Sequence, residues 1–116
     1  MTVLSDDTQR WEVRRDEGSE GVLVTFRGRI TGEDGRRSAA AFLAAMGTST
    51  VDLTFDVRDV ESHEGAARKA WQDQLLPRRK QLRSMTVVSR SRLARMAATV
   101  FAMVLGIECE VHEERP

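Results

Sequence analysis

Two β-type runs open the chain, Trp11-Glu12-Val13-Arg14 and Val22-Leu23-Val24-Thr25-Phe26-Arg27, separated by the turn-rich stretch Asp16-Glu17-Gly18-Ser19-Glu20-Gly21. Such a pair predicts an antiparallel hairpin. Thr31 follows, ahead of Gly32, Glu33 and Asp34, and apolar Ala39, Phe42, Leu43 and Met46 recur at i, i+3, i+4 and i+7 up to Gly47. That is a helix with a hydroxyl cap, an acidic first turn and a glycine stop. Val51, Leu53, Phe55 and Val57 alternate with Asp52, Thr54 and Asp56, the period of a strand buried on one face. A second helix is predicted from about Ser62, with Ala67, Trp71 and Leu75 on one side. Pro77 breaks it, because proline lacks an N–H and crowds the preceding turn. Met85 to Ser89 reads as a fourth strand, and Leu93, Met96, Ala97, Val100, Phe101, Val104 and Leu105 carry the strongest helical period. Ile107, Cys109 and Val111, alternating with Glu108, Glu110 and His112, make a fifth strand.

The order β-β-α-β-α-β-α-β predicts an α/β fold with a mixed five-stranded sheet. A parallel strand covered on both faces is apolar throughout, whereas these strands place Thr25, Arg27, Asp52, Thr54, Asp56, Glu108 and Glu110 on one side. The helices are therefore expected mainly on one face, with the opposite face polar and Asp52, Thr54 and Asp56 accessible. Trp11, Trp71, Met46, Met85, Met96 and Met103 fall on the inferred core faces. Residues 1–10 read as a flexible N-terminus, 11–113 as a single domain and 114–116 as a tail.

Composition narrows the function. The chain has 116 residues, room for one core and one domain. Its 18 basic and 18 acidic residues give no net charge, which argues against a nucleic-acid binder. Cys109 is the single cysteine and His63 and His112 the only histidines, so neither a disulfide nor a zinc site is expected, and no cofactor. The first ten residues are polar and acidic, and no apolar run approaches 18 residues, so a cytoplasmic protein without integral membrane contact is expected. Sixteen of the 18 basic residues are Arg, a bias typical of a GC-rich bacterial genome.

Several of these stretches together resemble SpoIIAA-like proteins of the STAS-like group: Trp11-Glu12-Val13, the Val22 to Gly28 strand followed by Ile30-Thr31, Phe55-Asp56-Val57, Trp71, and Met85-Thr86-Val87-Val88-Ser89 before an Arg-containing helix. The resemblance covers about residues 10–113. It implies a domain that regulates by docking a partner, with a phosphorylatable Ser after an Asp at the start of the second helix. The matching region is Asp56-Val57-Arg58-Asp59-Val60-Glu61-Ser62-His63-Glu64-Gly65, where Ser62 follows Glu61 and the Asp-Ser pair is missing. Ser62 is thus the candidate phospho-acceptor by resemblance, and a helix N-cap by its own chemistry. The group is also similar to lipid-binding Sec14-type domains, although 5% aromatics is little material for an enclosed lipid cavity.

No catalytic set assembles in the sequence. His63 with Asp59, Glu61 or Glu64 offers an acid-base group but no nucleophile, and acids there also suit the first turn of a helix. Cys109 shares a side with Ile107 and Val111 and reads as core. Charge is uneven: residues 61–107 hold nine bases and three acids, among them Arg78, Arg79, Lys80, Arg83, Arg90, Arg92 and Arg95. Ser89-Arg90-Ser91-Arg92, with Arg95 one turn on, stands where a strand meets a helix N-terminus, a place suited to a phosphate or carboxylate. Arginines there oppose the helix dipole, so an anion, an acidic partner or carboxylates such as Glu61 and Glu64 should offset them. The expected function is a non-enzymatic bacterial STAS-like regulatory domain docking a protein partner or a second copy of itself. A small anion- or lipid-headgroup-binding module at Ser89 to Arg95 is the alternative.

Overall fold

A computed structural model describes residues 1–115. The chain runs β1 (Thr2–Ser5), β2 (Trp11–Arg15), β3 (Gly21–Ile30), α1 (Gly32–Met46), β4 (Val51–His63), α2 (Gly65–Leu75), a 3-10 turn (Leu76–Gln81), β5 (Leu82–Val88), α3 (Arg92–Leu105) and β6 (Cys109–His112). All six strands form one sheet in sequence order, with β1, β2 and β3 antiparallel and β3 to β6 parallel. Each crossover steps to the next strand in the same direction, and right-handed crossovers of that kind put every helix on one face. The contacts agree: Phe55 of β4 meets Trp71 of α2 and Phe101 of α3, and Trp71 also meets Phe42 of α1.

The α/β class, the mixed sheet and the three helices follow the sequence, but the sheet has six strands rather than five. Thr2–Ser5, read from the sequence as part of a flexible N-terminus, pairs with Glu12–Arg15 as an edge strand. Both of its faces are exposed, so it carries no alternation by which to recognise it. Of the tail expected at 114–116, Glu114 and Arg115 are held by ion pairs, and Pro116 lies outside the described residues.

Thr31 caps α1 as its sequence implies: its hydroxyl accepts from Asp34 N (3.1 Å), and the Asp34 carboxylate accepts from Thr31 N (2.9 Å). The second helix begins later than expected. β4 continues to His63 because β3 offers it a free edge, with Gly28 opposite Val60, Arg29 opposite Ser62 and Ile30 opposite His63 across two register shifts. Ser62 is therefore an exposed strand residue and caps nothing. Glu64 stands at the N-cap of α2, and its carboxylate crosses to Gly32 N (2.7 Å) at the start of α1.

The core lies between the sheet and its helices, centred on Trp71. Its ring centroid is 4.9 Å from Phe55, 5.5 Å from Phe42 and 6.1 Å from Phe26, and its indole N–H donates to Ser38 Oγ (2.9 Å). Met46 and Met85 are buried as expected. Met96 and Met103 are not: they are 60% and 74% exposed, because α3 turns Phe101, Ala102 and Leu105 to the core instead.

α1 and α2 touch almost without side chains between them. A Cβ on Gly35 would stand 2.5 Å from Ala67 Cα and 2.7 Å from Ala67 O, both backbone atoms that cannot step aside. Gly35→Ala should lower stability to urea by about 1–3 kcal/mol despite alanine's better helix propensity. Gly65→Ala, whose methyl meets nothing within 4 Å, should be neutral or stabilising. Equal stabilities of the two variants would contradict the close crossing.

Candidate functional site

α2 leans on α1, and α3 sits over β5 and β6. Between α2 and α3 lies a cleft of about 620 Å³, within the range of small-molecule pockets. Its floor is apolar and comes from the helix-covered sheet face and the two helices: Phe26, Phe55, Met85, Val87, Trp71 and Phe101. Ala94, Ala97 and Ala98 line the α3 wall, where small side chains leave the space open. The mouth is polar and lies at the carboxyl ends of β3, β4 and β5, where open α/β sheets place their ligands. Arg58, His63, Arg68 and Arg90 border it, with Glu61, Ser62, Ser89 and Ser91.

The residues singled out in sequence divide here. Ser89, Arg90 and Ser91 line the cleft, Ser89 being buried and Arg90 exposed. The two serines organise the start of α3: Ser91 Oγ accepts from Ala94 N (3.3 Å), and Ser89 Oγ accepts from Ser91 N (3.1 Å). Arg92 is exposed and Arg95 half-buried, and neither lines the cleft. Two other basic residues of the middle segment, Arg78 and Arg83, lie at the opposite end of the sheet. Arg78 donates to Gly47 O (2.7 Å), and Arg83 pairs with Asp52 and Glu20. Ser62 lies at the cleft mouth. Cys109 is half-buried on β6, where burial and then Glu110 push its thiol up. Among the described residues no group of three or more His, Cys, Asp or Glu could hold a metal ion, and no helix is long and apolar enough to cross a membrane.

Sequence reasoning missed Arg58 and the C-terminal residues that meet it. Asp56 points to the polar face as expected, and Asp52 and Thr54 beside it are half-buried. Asp56 itself is only 4% exposed. It is covered by arginines rather than by a helix. Arg58 donates to it through Nε (3.0 Å) and Nη2 (2.8 Å), and Arg115 through Nε (2.9 Å). The remaining nitrogen, Arg58 Nη1, donates to Glu114 (2.5 Å), and Arg90 pairs with the other oxygen of the same carboxylate. Glu113 stands 4.0 Å from Arg95. The carboxylates that meet the arginines around the start of α3 are thus Glu114, on Arg90, and Glu113, near Arg95, not Glu61 and Glu64. Glu64 is committed to Gly32 N.

Burial pushes the Asp56 carboxyl up, but the hydrogen bonds from Arg58 and Arg115 outweigh it and hold the group at about 2. Its folded value is below its unfolded one, so the stabilisation is present above about pH 4 and is lost as pH falls through 4 towards 2. The expected loss is roughly 2 kcal/mol. Asp56→Asn should flatten this acid limb of a stability-against-pH curve, and an unchanged limb would show that Asp56 is not its source.

No family model matches the sequence, and no curated protein matches it. Among solved structures it is similar to an uncharacterized protein of the DUF3478 family with a SpoIIAA-like fold from Shewanella loihica PV-4. The TM-score is 0.71 and the identity 14%, over 90% of this chain and 86% of that one. The chain has a SpoIIAA-like fold, in agreement with the STAS-like resemblance of its sequence.

Proposed function

We propose that the protein is a non-enzymatic regulatory domain of a bacterial cytoplasm that binds an amphipathic small molecule between α2 and α3. The cleft carries this reading: an apolar floor ending in a mouth with three arginines suits a ligand with a hydrocarbon or aromatic body and a polar head. The ligand-binding alternative raised by the sequence thereby moves ahead of partner docking, and its site moves from the Ser89 to Arg95 edge into the cleft. Binding is supported by the lining, which offers apolar surface below and charge at the mouth. Trp71 forms part of the floor and reports occupancy by its fluorescence. Decan-1-ol and decanoate should both shift its emission saturably. Ala97→Phe, which fills the α3 wall, should weaken both at least tenfold with melting unchanged or raised. Undiminished binding in Ala97→Phe would exclude the cleft.

A second reading, docking of a second copy, has its own observation. Leu93, Met96, Val100, Met103 and Val104 form a stripe along α3 that is 42–78% exposed, on the side away from Phe101, Ala102 and Leu105. A helix apolar on two faces is normally covered on both. α3 is basic at its start, with Arg92 and Arg95, and is followed at its end by Glu108. An antiparallel second copy sets each basic end beside the other's acidic end and aligns opposite helix dipoles. Sedimentation should show a reversible dimer that Met103→Glu dissociates. A monomer at roughly 100 μM would remove this reading.

A further inference from the structure

We infer that Arg58 and Arg90 form a carboxylate-binding site at the mouth of the cleft, and that Glu114 of the C-terminal segment occupies it when no ligand is bound. The inference rests on the cleft being a ligand site and adds the ligand's head-group class and its built-in competitor.

Arg58 is oriented for one further anion. Asp56, buried beneath it, takes Nε and Nη2 in a two-pronged ion pair, which fixes the guanidinium plane and leaves Nη1 directed at Glu114. Arg90 comes from the β5–α3 connection and reaches the same carboxylate from the other side. Both arginines line the cleft and Glu114 does not. Two cations thus grip one carboxylate beside an apolar cavity, the arrangement that would receive an amphipathic acid, and the present occupant belongs to the chain itself. These pairs hold the Glu114 carboxyl below its usual range, Arg90 contributing most.

Glu114 is a weak occupant. Its side chain is 60% exposed and Arg90's 64%, so the pair is screened by water and readily exchanged. A ligand carboxylate has an advantage the tail lacks, because its apolar body enters the cleft at the same time. Binding of such an acid should therefore free Glu114. Arg115 is the next residue and is bound to Asp56 on the polar face, so release at 114 loosens the segment that covers that face. The ligand's presence would then be readable on both faces of the sheet.

The test compares decanoate with decan-1-ol, equal in apolar body and different in head group, by Trp71 fluorescence in the full chain. Glu114→Gln removes the competing charge and keeps the size. It should tighten decanoate by about two- to tenfold, the scale of removing exposed ion pairs, and leave decan-1-ol unchanged. Arg90→Gln should weaken decanoate and spare decan-1-ol, and in the Arg90→Gln/Glu114→Gln double variant the gain from Glu114→Gln should shrink. If both compounds bind and Glu114→Gln changes neither, or changes both equally, the tail is not a competitor and the inference falls while the cleft stands. If neither compound binds the wild-type chain, the cleft reading falls and takes this one with it.

Discussion

Gly35 sets where everything else can go. Its missing side chain lets α2 rest on α1 at backbone contact with Ala67, a distance no other residue permits. That approach carries Trp71 over Ser38 and Phe42, so the indole finds a hydrogen-bond partner and three aromatic neighbours at once. It also fixes α2 on the β3 side of the sheet. α3 is anchored elsewhere, by Phe101, Ala102 and Leu105 above β5 and β6, and the two helices approach each other only loosely. The cleft is what remains between a helix held to its neighbour and a helix held to the sheet. A side chain at position 35 would push α2 towards α3 and narrow it.

The parts legible in the sequence are those decided by local chemistry. Thr31 and Asp34 make a reciprocal cap whose two partners are three residues apart, and the Val51 to Asp56 alternation is read directly as one buried and one polar face. Pro77 breaks α2 as its missing N–H requires. Ser62 escaped because its fate is set by Arg29, its partner across the β3–β4 ladder, and not by its neighbours. Met96 and Met103 escaped for another reason. A 3.6-residue period shows that α3 has apolar stripes, but its apolar positions cover more than one face and the sequence does not say which of them meets the sheet.

The candidate site shows the same division at longer range. Ser89, Arg90 and Ser91 were visible because a strand-to-helix junction marks itself. Arg58 and Glu114 were not, since 56 residues separate them and each alone is an ordinary surface charge. One signal was available. Arginines in the first turn of α3 oppose the helix dipole, so carboxylates had to lie nearby, and the acidic 108–114 stretch was the remaining local source of negative charge. Glu61 and Glu64 were closer in sequence to the expected loop, but the extension of β4 removed that loop.

That extension also explains why the mouth of the cleft lies where it does. The β4–β5 ladder ends at Asp56 opposite Val88, while β4 runs on to His63 paired only with β3. Beyond Val88 the chain turns away through Ser89 into α3, and the side of β4 that β5 abandons is left to Arg58 and the residues after it. A parallel sheet whose neighbouring strands stop at different heights opens a crevice at its carboxyl edge. Here the taller strand bears Arg58, the shorter one leads into Arg90, and the last strand brings Glu114 back between them. The cation pair at the cleft mouth therefore follows from unequal strand lengths together with a buried Asp56 that holds one guanidinium still, and needs no loop specialised for binding.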